Sequence, residues 1–134
     1  MTASILYEGN LRTEAKHVQS GTVIHTDAPT DNKGKGEKFS PTDTVCVALG
    51  TCIITTMALK ANDMGIDLKG TTLEVTKHMR SEPRRIGQID IVLNMPQSLG
   101  LEDKDKVILQ RTGDNCPVAK SLSSEVIQNI EYRW

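Results

Sequence analysis

Apolar and polar positions alternate at the start of this chain, turn helical in its middle, and alternate again toward its end. Ser4–Glu8 and Leu11–Val18 read as two strands on either side of Gly9-Asn10, a pair suited to the left-handed positions of a hairpin turn. A second turn at Ser20-Gly21 leads into a strand at Thr22–Thr26. Asp27 to Lys38 (DAPTDNKGKGEK) has no apolar period and two glycines, and is expected to be a mobile loop. A helix then opens with Ser40 as its cap, Pro41 in the first turn and Asp43 at the capping-box position. It is expected to run to about Met64 and stop at Gly65. Thr71–Arg80 sets Leu73, Val75 and Met79 against Glu74, Thr76, His78 and Arg80. Gln88–Met95 sets Ile89, Ile91, Leu93 and Met95 against Asp90, Val92 and Asn94. This period of two marks half-buried strands, with Ser81-Glu82-Pro83 as the turn between them. Helical spacing returns at Glu102–Arg111 and from Pro117 to about Ser124, and Gln128–Arg133 reads as a last strand. Strand groups segregated around a central helix predict an α+β fold.

The middle of the long helix, VCVALGTCIITTMAL, is apolar nearly all round and must be covered on most sides. One small domain of 134 residues hardly does that alone, which predicts a dimer. The uncharged run Thr44–Leu59 is short for a membrane span and reads as a buried helix. The length fits a single domain, residues 1–134. Aromatics are confined to Tyr7, Phe39, Tyr132 and Trp134, so the core rests on aliphatic residues and methionine.

The formal net charge of -1, with acids and bases interspersed, leaves no basic face for nucleic acid. No Gly-rich phosphate loop or dinucleotide fingerprint is present, so no nucleotide cofactor is expected. The N-terminus lacks the basic start and long apolar stretch of a secretory leader. A cytoplasmic chain with three reduced cysteines is the expectation.

Those cysteines are the candidate chemistry. Cys46 and Cys52 share the long helix, six residues apart, which puts about 9 Å of rise and about 240° of turn between them. A disulfide needs Cα atoms within roughly 7 Å, so these two cannot pair on a straight helix, and a partner for Cys52 would have to be Cys116. Cys116 stands in Asp114-Asn115-Cys116-Pro117, at a helix start whose free N–H groups favour a thiolate. Cys52 lies mid-helix among apolar residues, where burial alone makes a thiol inert. Local physics therefore nominates Cys116 as the more reactive thiol, and Cys52 needs positive charge from outside its own helix. The bland reading of any free cysteine is a small buried hydrophobe, and it fits Cys46 best. A zinc site joining Cys52 and Cys116 to His17, His25 or His78 lacks the close Cys/His spacing of structural zinc; no metal is expected.

Two segments are similar to a known family. SPTDTVCVALGTC resembles the first signature of OsmC/Ohr proteins (osmotically inducible protein C and organic hydroperoxide resistance protein), and NCPVAKSL resembles the second. The GNLR segment, the DAP turn and the order of elements agree over nearly the whole chain. The resemblance implies an α+β fold of antiparallel sheets around a long central helix, in an intertwined homodimer. It implies that Cys52 is a peroxidatic cysteine and Cys116 its resolving partner, that the substrate is an organic hydroperoxide, and that a dithiol, lipoyl-type or another thiol, returns the electrons. It further implies an arginine and an acid beside the thiolate, best matched here by Arg12 and Asp43, although Thr42 stands where one branch places the acid directly after the proline. An OsmC-like dimer with little or no peroxidase activity, acting as a binding or structural protein, is the alternative that this departure favours. Without the resemblance, Asp43 reads as a helix cap: nine residues before Cys52, it is about 13 Å away on the opposite helix face. Arg12 reads as a strand charge. Leu49, Ile53 and Met57, near Cys52 in the sequence, are expected to favour an alkyl or lipid peroxide.

Overall fold

The computed structural model describes residues 1–134. The chain divides into two compact units, Met1–Val45 and Cys46–Trp134, with the boundary inside the long helix.

The first unit is a three-stranded antiparallel sheet, β1 (Ala3–Gly9), β2 (Arg12–His17) and β3 (Val23–Asp27), in the order β1-β2-β3. Gly9, Asn10 and Leu11 all take positive φ in the first turn, which is why the Gly-Asn pair stands there. The segment expected to be mobile is instead stitched down. Ala28 N–H bonds to Leu11 O, Gly34 N–H to Pro29 O and Asp27 N–H to Phe39 O, around a single 3₁₀ turn at Thr30–Asn32. This unit has no apolar core of its own: its buried residues are Asp27 and Ser40, while Ile5, Leu6, Tyr7, Val23 and Ile24 stand exposed in the single chain.

Helix α1 (Pro41–Asp63) begins as its sequence predicts. Ser40 Oγ accepts from Asp43 N–H at 3.0 Å, and Asp43 Oδ2 accepts from Ser40 N–H at 2.8 Å, a reciprocal capping box. It ends with Ile66 N–H on Ala61 O and Gly65 N–H on Asn62 O, with Gly65 at φ 71. That double bond is the Schellman stop, which a residue with a Cβ adopts only under strain.

In the second unit, β4 (Thr72–Arg80) pairs antiparallel with β5 (Arg85–Asn94). Helices α2 (Asp103–Asp114) and α3 (Pro117–Ser121) then carry the chain to β6 (Ile127–Arg133). β6 pairs parallel to β5, so this sheet is mixed where antiparallel sheets were expected. Parallel pairing needs a crossover, and α2 and α3 provide it. The buried α1 residues Leu49, Ile53, Met57 and Ala61 pack with Ile89, Ile91 and Leu93 of β5 and Leu109 of α2. Gly50 marks the close approach: a Cβ there would meet Val75, Leu73 and Ile91. By length and composition α1 could cross a membrane, with about a third of its apolar window buried in the single chain.

Candidate active site: two thiols at a helix start

Two elements of the second unit bring Cys52 and Cys116 together. Cys52 is half-buried on α1, one turn before Thr56, whose Oγ1 lies 3.9 Å from its sulfur. Cys116 is wholly buried and caps α3, with Pro117 at the first helical position. Proline has no N–H to satisfy and its φ is already helical, so it starts the helix at no cost and leaves the next amides free. Ala119 N–H bonds to Cys116 Sγ at 3.5 Å. Val118 N–H and the Cys116 thiol also face the Cys52 sulfur, and each favours its charged form. The start of α3 thus serves both sulfurs, supplying the partial positive charge that Cys52 could not find on its own helix.

The two pKa shifts run opposite to the order expected from local sequence. Burial raises the Cys52 pKa, but the Val118 N–H, the Cys116 thiol and the Thr56 hydroxyl together outweigh it, and the net direction is down. Burial raises the Cys116 pKa more than Ala119 N–H can lower it, and proximity to Cys52 pushes it further up. Of the pair, Cys52 is the one whose pKa is lowered and Cys116 the one whose pKa is raised. The reason is desolvation, which a sequence does not print: Cys116 is 0% exposed. Cys46, 2% exposed, sits in the apolar core.

The other predicted residues lie in the first unit. Arg12 grips Asp27 with two parallel bonds, Nε to Oδ1 at 2.7 Å and Nη2 to Oδ2 at 2.8 Å, and reaches Glu37 Oε2 at 2.6 Å. Asp27 is 2% exposed and also accepts Glu37 N–H, so its charge is compensated and its pKa falls, chiefly through the Arg12 bonds. The sequence reading missed Asp27 and Glu37; the register pair Arg12↔Asp27 across β2 and β3 is what unites them. Asp43 completes the capping box. Leu49, Ile53 and Met57 are wholly buried, so they form core and offer no surface to a peroxide. Glu8, Glu14 and His25 place their ligand atoms within 4.8 Å of one another, a group that contains neither Cys52 nor Cys116.

The chain resembles known proteins at two levels. The profile of the OsmC-like protein family matches residues 34–131. Among solved structures, a protein of Psychrobacter arcticus 273-4 ascribed to the osmotic stress and detoxification response is 45% identical, with a TM-score of 0.94 over 99% of this chain and 96% of that one. An organic hydroperoxide resistance protein OsmC of Legionella pneumophila is 13% identical, with a TM-score of 0.77 over 100% and 98% of the two chains. A Vibrio cholerae protein ascribed to organic hydroperoxide resistance, holding captopril in one of its active sites, is 12% identical, with a TM-score of 0.74 over 98% and 91%. At those two lower identities the likeness is one of fold. No curated protein matches the chain by sequence.

Proposed function

The chain belongs to the OsmC-like family, and on that premise we propose that it is a thiol-dependent peroxidase that reduces organic hydroperoxides through Cys52 and Cys116. The observation that carries the reading is that Cys52 and Cys116 act on one another at the start of α3, the Cys52 pKa being lowered and that of Cys116 raised. The Cys52 thiolate attacks one peroxide oxygen: an S–O bond forms, the O–O bond breaks, and the departing alkoxide takes up a proton to leave as the alcohol. The sulfenic acid on Cys52 is then attacked by Cys116, closing an S–S bond and releasing water. A dithiol reductant, lipoyl-type or another thiol, reopens the disulfide in two exchanges. Such a cycle suits the cytoplasm, where thiols are kept reduced. Cys52→Ser is expected to abolish peroxide reduction, and Cys116→Ser to stop after one turnover. Full activity in Cys52→Ser contradicts the reading and leaves the alternative, an OsmC-like dimer without peroxidase activity.

Arg12 and Asp43 enter this proposal through the family resemblance, each with structural partners of its own in the first unit. The role of Arg12 is tested by the pH dependence of Cys52 alkylation, which rises in Arg12→Ala if Arg12 supports the thiolate and is unchanged if it does not. The homodimer is likewise proposed. Val47 and Leu59 of α1 stand exposed in the single chain, and Val47 lines a cavity of about 220 Å³ together with Gly50, Thr51, Ile54, Leu73 and Val75. The three-stranded sheet of the first unit, with exposed Ile5, Leu6 and Tyr7, also calls for a cover. A solution mass of one chain, 14.7 kDa, would contradict the dimer.

A further inference from the structure

Beyond the thiols themselves, the turn that carries Cys116 is held by side chains from elsewhere in the second unit. Tyr132, on β6, donates its hydroxyl to Asp114 Oδ1 at 2.7 Å, with Gln110 O at 3.4 Å from the same oxygen. Asp114 is the last residue of α2, two positions before Cys116. The phenol passes close over Gly113: a Cβ there would lie 2.8 Å from the Tyr132 oxygen and 2.9 Å from Met57 Sδ. Met57 belongs to α1, five residues beyond Cys52. Gly113 O in turn accepts Cys116 N–H at 3.0 Å. Gly113, Asp114 and Cys116 thus form one turn gripped between β6 and the helix of Cys52.

The grip is needed because α3 has five residues, too few to hold its own position. Its middle is tied by Gln128 Nε2 donating to Ala119 O at 3.0 Å. Gln128 and Tyr132 are four apart on β6 and share a face, so one strand holds the chain on both sides of the second thiol, at Asp114 and at Ala119. The Tyr132 ring is itself fixed by stacking on Trp134, with centroids 6.4 Å apart and planes 12° from parallel. Burial first, and then the Asp114 carboxylate, raise the Tyr132 pKa far above the ordinary phenol range, so the hydroxyl remains a donor throughout the range in which thiols work.

We propose that Tyr132 is the positioning residue of the resolving thiol, holding the Gly113–Cys116 turn through Asp114 so that the Cys116 sulfur meets Cys52. The proposal rests on the peroxidase reading, and Tyr132 takes no part in the first attack on the peroxide. A disulfide tolerates Cα separations only up to roughly 7 Å, so a turn that wanders by a few ångströms closes the bond seldom and leaves the sulfenic acid open to a second peroxide.

Rapid mixing with tert-butyl hydroperoxide separates the steps: sulfenic acid formation scales with peroxide concentration and disulfide closure does not. Tyr132→Phe is expected to slow closure about tenfold, on the order of one lost hydrogen bond to a carboxylate, with the first step within twofold of the parent and more Cys52 sulfinic acid at excess peroxide. Asp114→Ala should behave like Tyr132→Phe, whereas Asp114→Asn, which keeps an acceptor oxygen, should close nearly as fast as the parent. Closure at the parental rate in Tyr132→Phe overturns the proposal, and so does an equal slowing of both steps. If the parent protein forms no disulfide with peroxide, the peroxidase reading fails by itself. The positioning role is then read from the equilibrium with reduced and oxidised dithiothreitol, where Tyr132→Phe should lower the equilibrium constant of the Cys52–Cys116 disulfide about tenfold by the same loss, and equal constants overturn it.

Discussion

Replacing Asp43 with alanine removes the oxygen that accepts Ser40 N–H at 2.8 Å in the first turn of a 23-residue helix. Ser40 is 1% exposed, so water does not take over the freed donor. Losing a cap costs about 0.5–2 kcal/mol, and stranding a buried donor about 1–3 kcal/mol. These are two descriptions of one event, which places the expected cost near 2 kcal/mol. With an unfolding entropy of about 2.1 cal/mol/K per residue, a chain of 134 residues loses about 7 °C of Tm for that amount. Asp43→Asn keeps an acceptor oxygen and should lose less than half as much. Thermal unfolding followed by far-UV circular dichroism reads both variants, with peroxide turnover measured on the same samples well below the transition. An Asp43→Ala protein melting within about 1 °C of the parent would refute the capping argument. An Asp43→Asn protein of full stability and no turnover would show that capping is not its whole task, and would support the chemical role implied by the family.

Three more expectations follow from the geometry. Because the Cys52 pKa is lowered and that of Cys116 raised, iodoacetamide at neutral pH should label Cys52 first; Cys116→Ala, which removes a group that favours the charged form of Cys52, should move the Cys52 alkylation profile to higher pH, and an unmoved profile contradicts that contribution. Gly113→Ala should destabilise by about 1–3 kcal/mol through overpacking against Tyr132 and Met57, despite a helix-propensity gain of up to about 1 kcal/mol; a chemical denaturation midpoint equal to or above the parent's would contradict the close approach. The Asp27 pKa is lowered by Arg12, so this carboxylate adds stability above the ordinary carboxylate range that is lost as pH falls through its lower folded value. Arg12→Ala raises that value, so acid unfolding of the variant should begin at higher pH, and an unchanged acid limb contradicts the ion pair's contribution.

What the sequence made legible was local chemistry. Gly9-Asn10 announced the first hairpin, Ser40-Pro41 with Asp43 announced the helix start, and Gly65 its stop, because each residue type answers a backbone demand within a few positions of itself. The α+β class followed from the change of period, and the core face of β5 from Ile89, Ile91 and Leu93. The parallel pairing of β6 was not legible, since strand direction depends on a crossover through two helices. The pKa shifts of the two thiols run against the local reading for a related reason. Val118 N–H, at the start of α3, lowers the pKa of a sulfur 66 positions upstream, and the burial of Cys116 arises only in the folded core. Tyr132 and Asp114 carried little signal beyond the scarcity of aromatic residues in the chain. Arg12 with Asp27 and Glu37 shows the same limit: one partner lies across a sheet and the other beyond a loop that the sequence marked only as polar.

The most direct test is intact mass and non-reducing peptide mapping after one equivalent of an organic hydroperoxide. The account predicts loss of two hydrogens and a single cross-linked peptide pair joining Cys52 to Cys116, with Cys46 still a free thiol. An unchanged mass, or oxygen added to scattered methionines with both thiols intact, would contradict it.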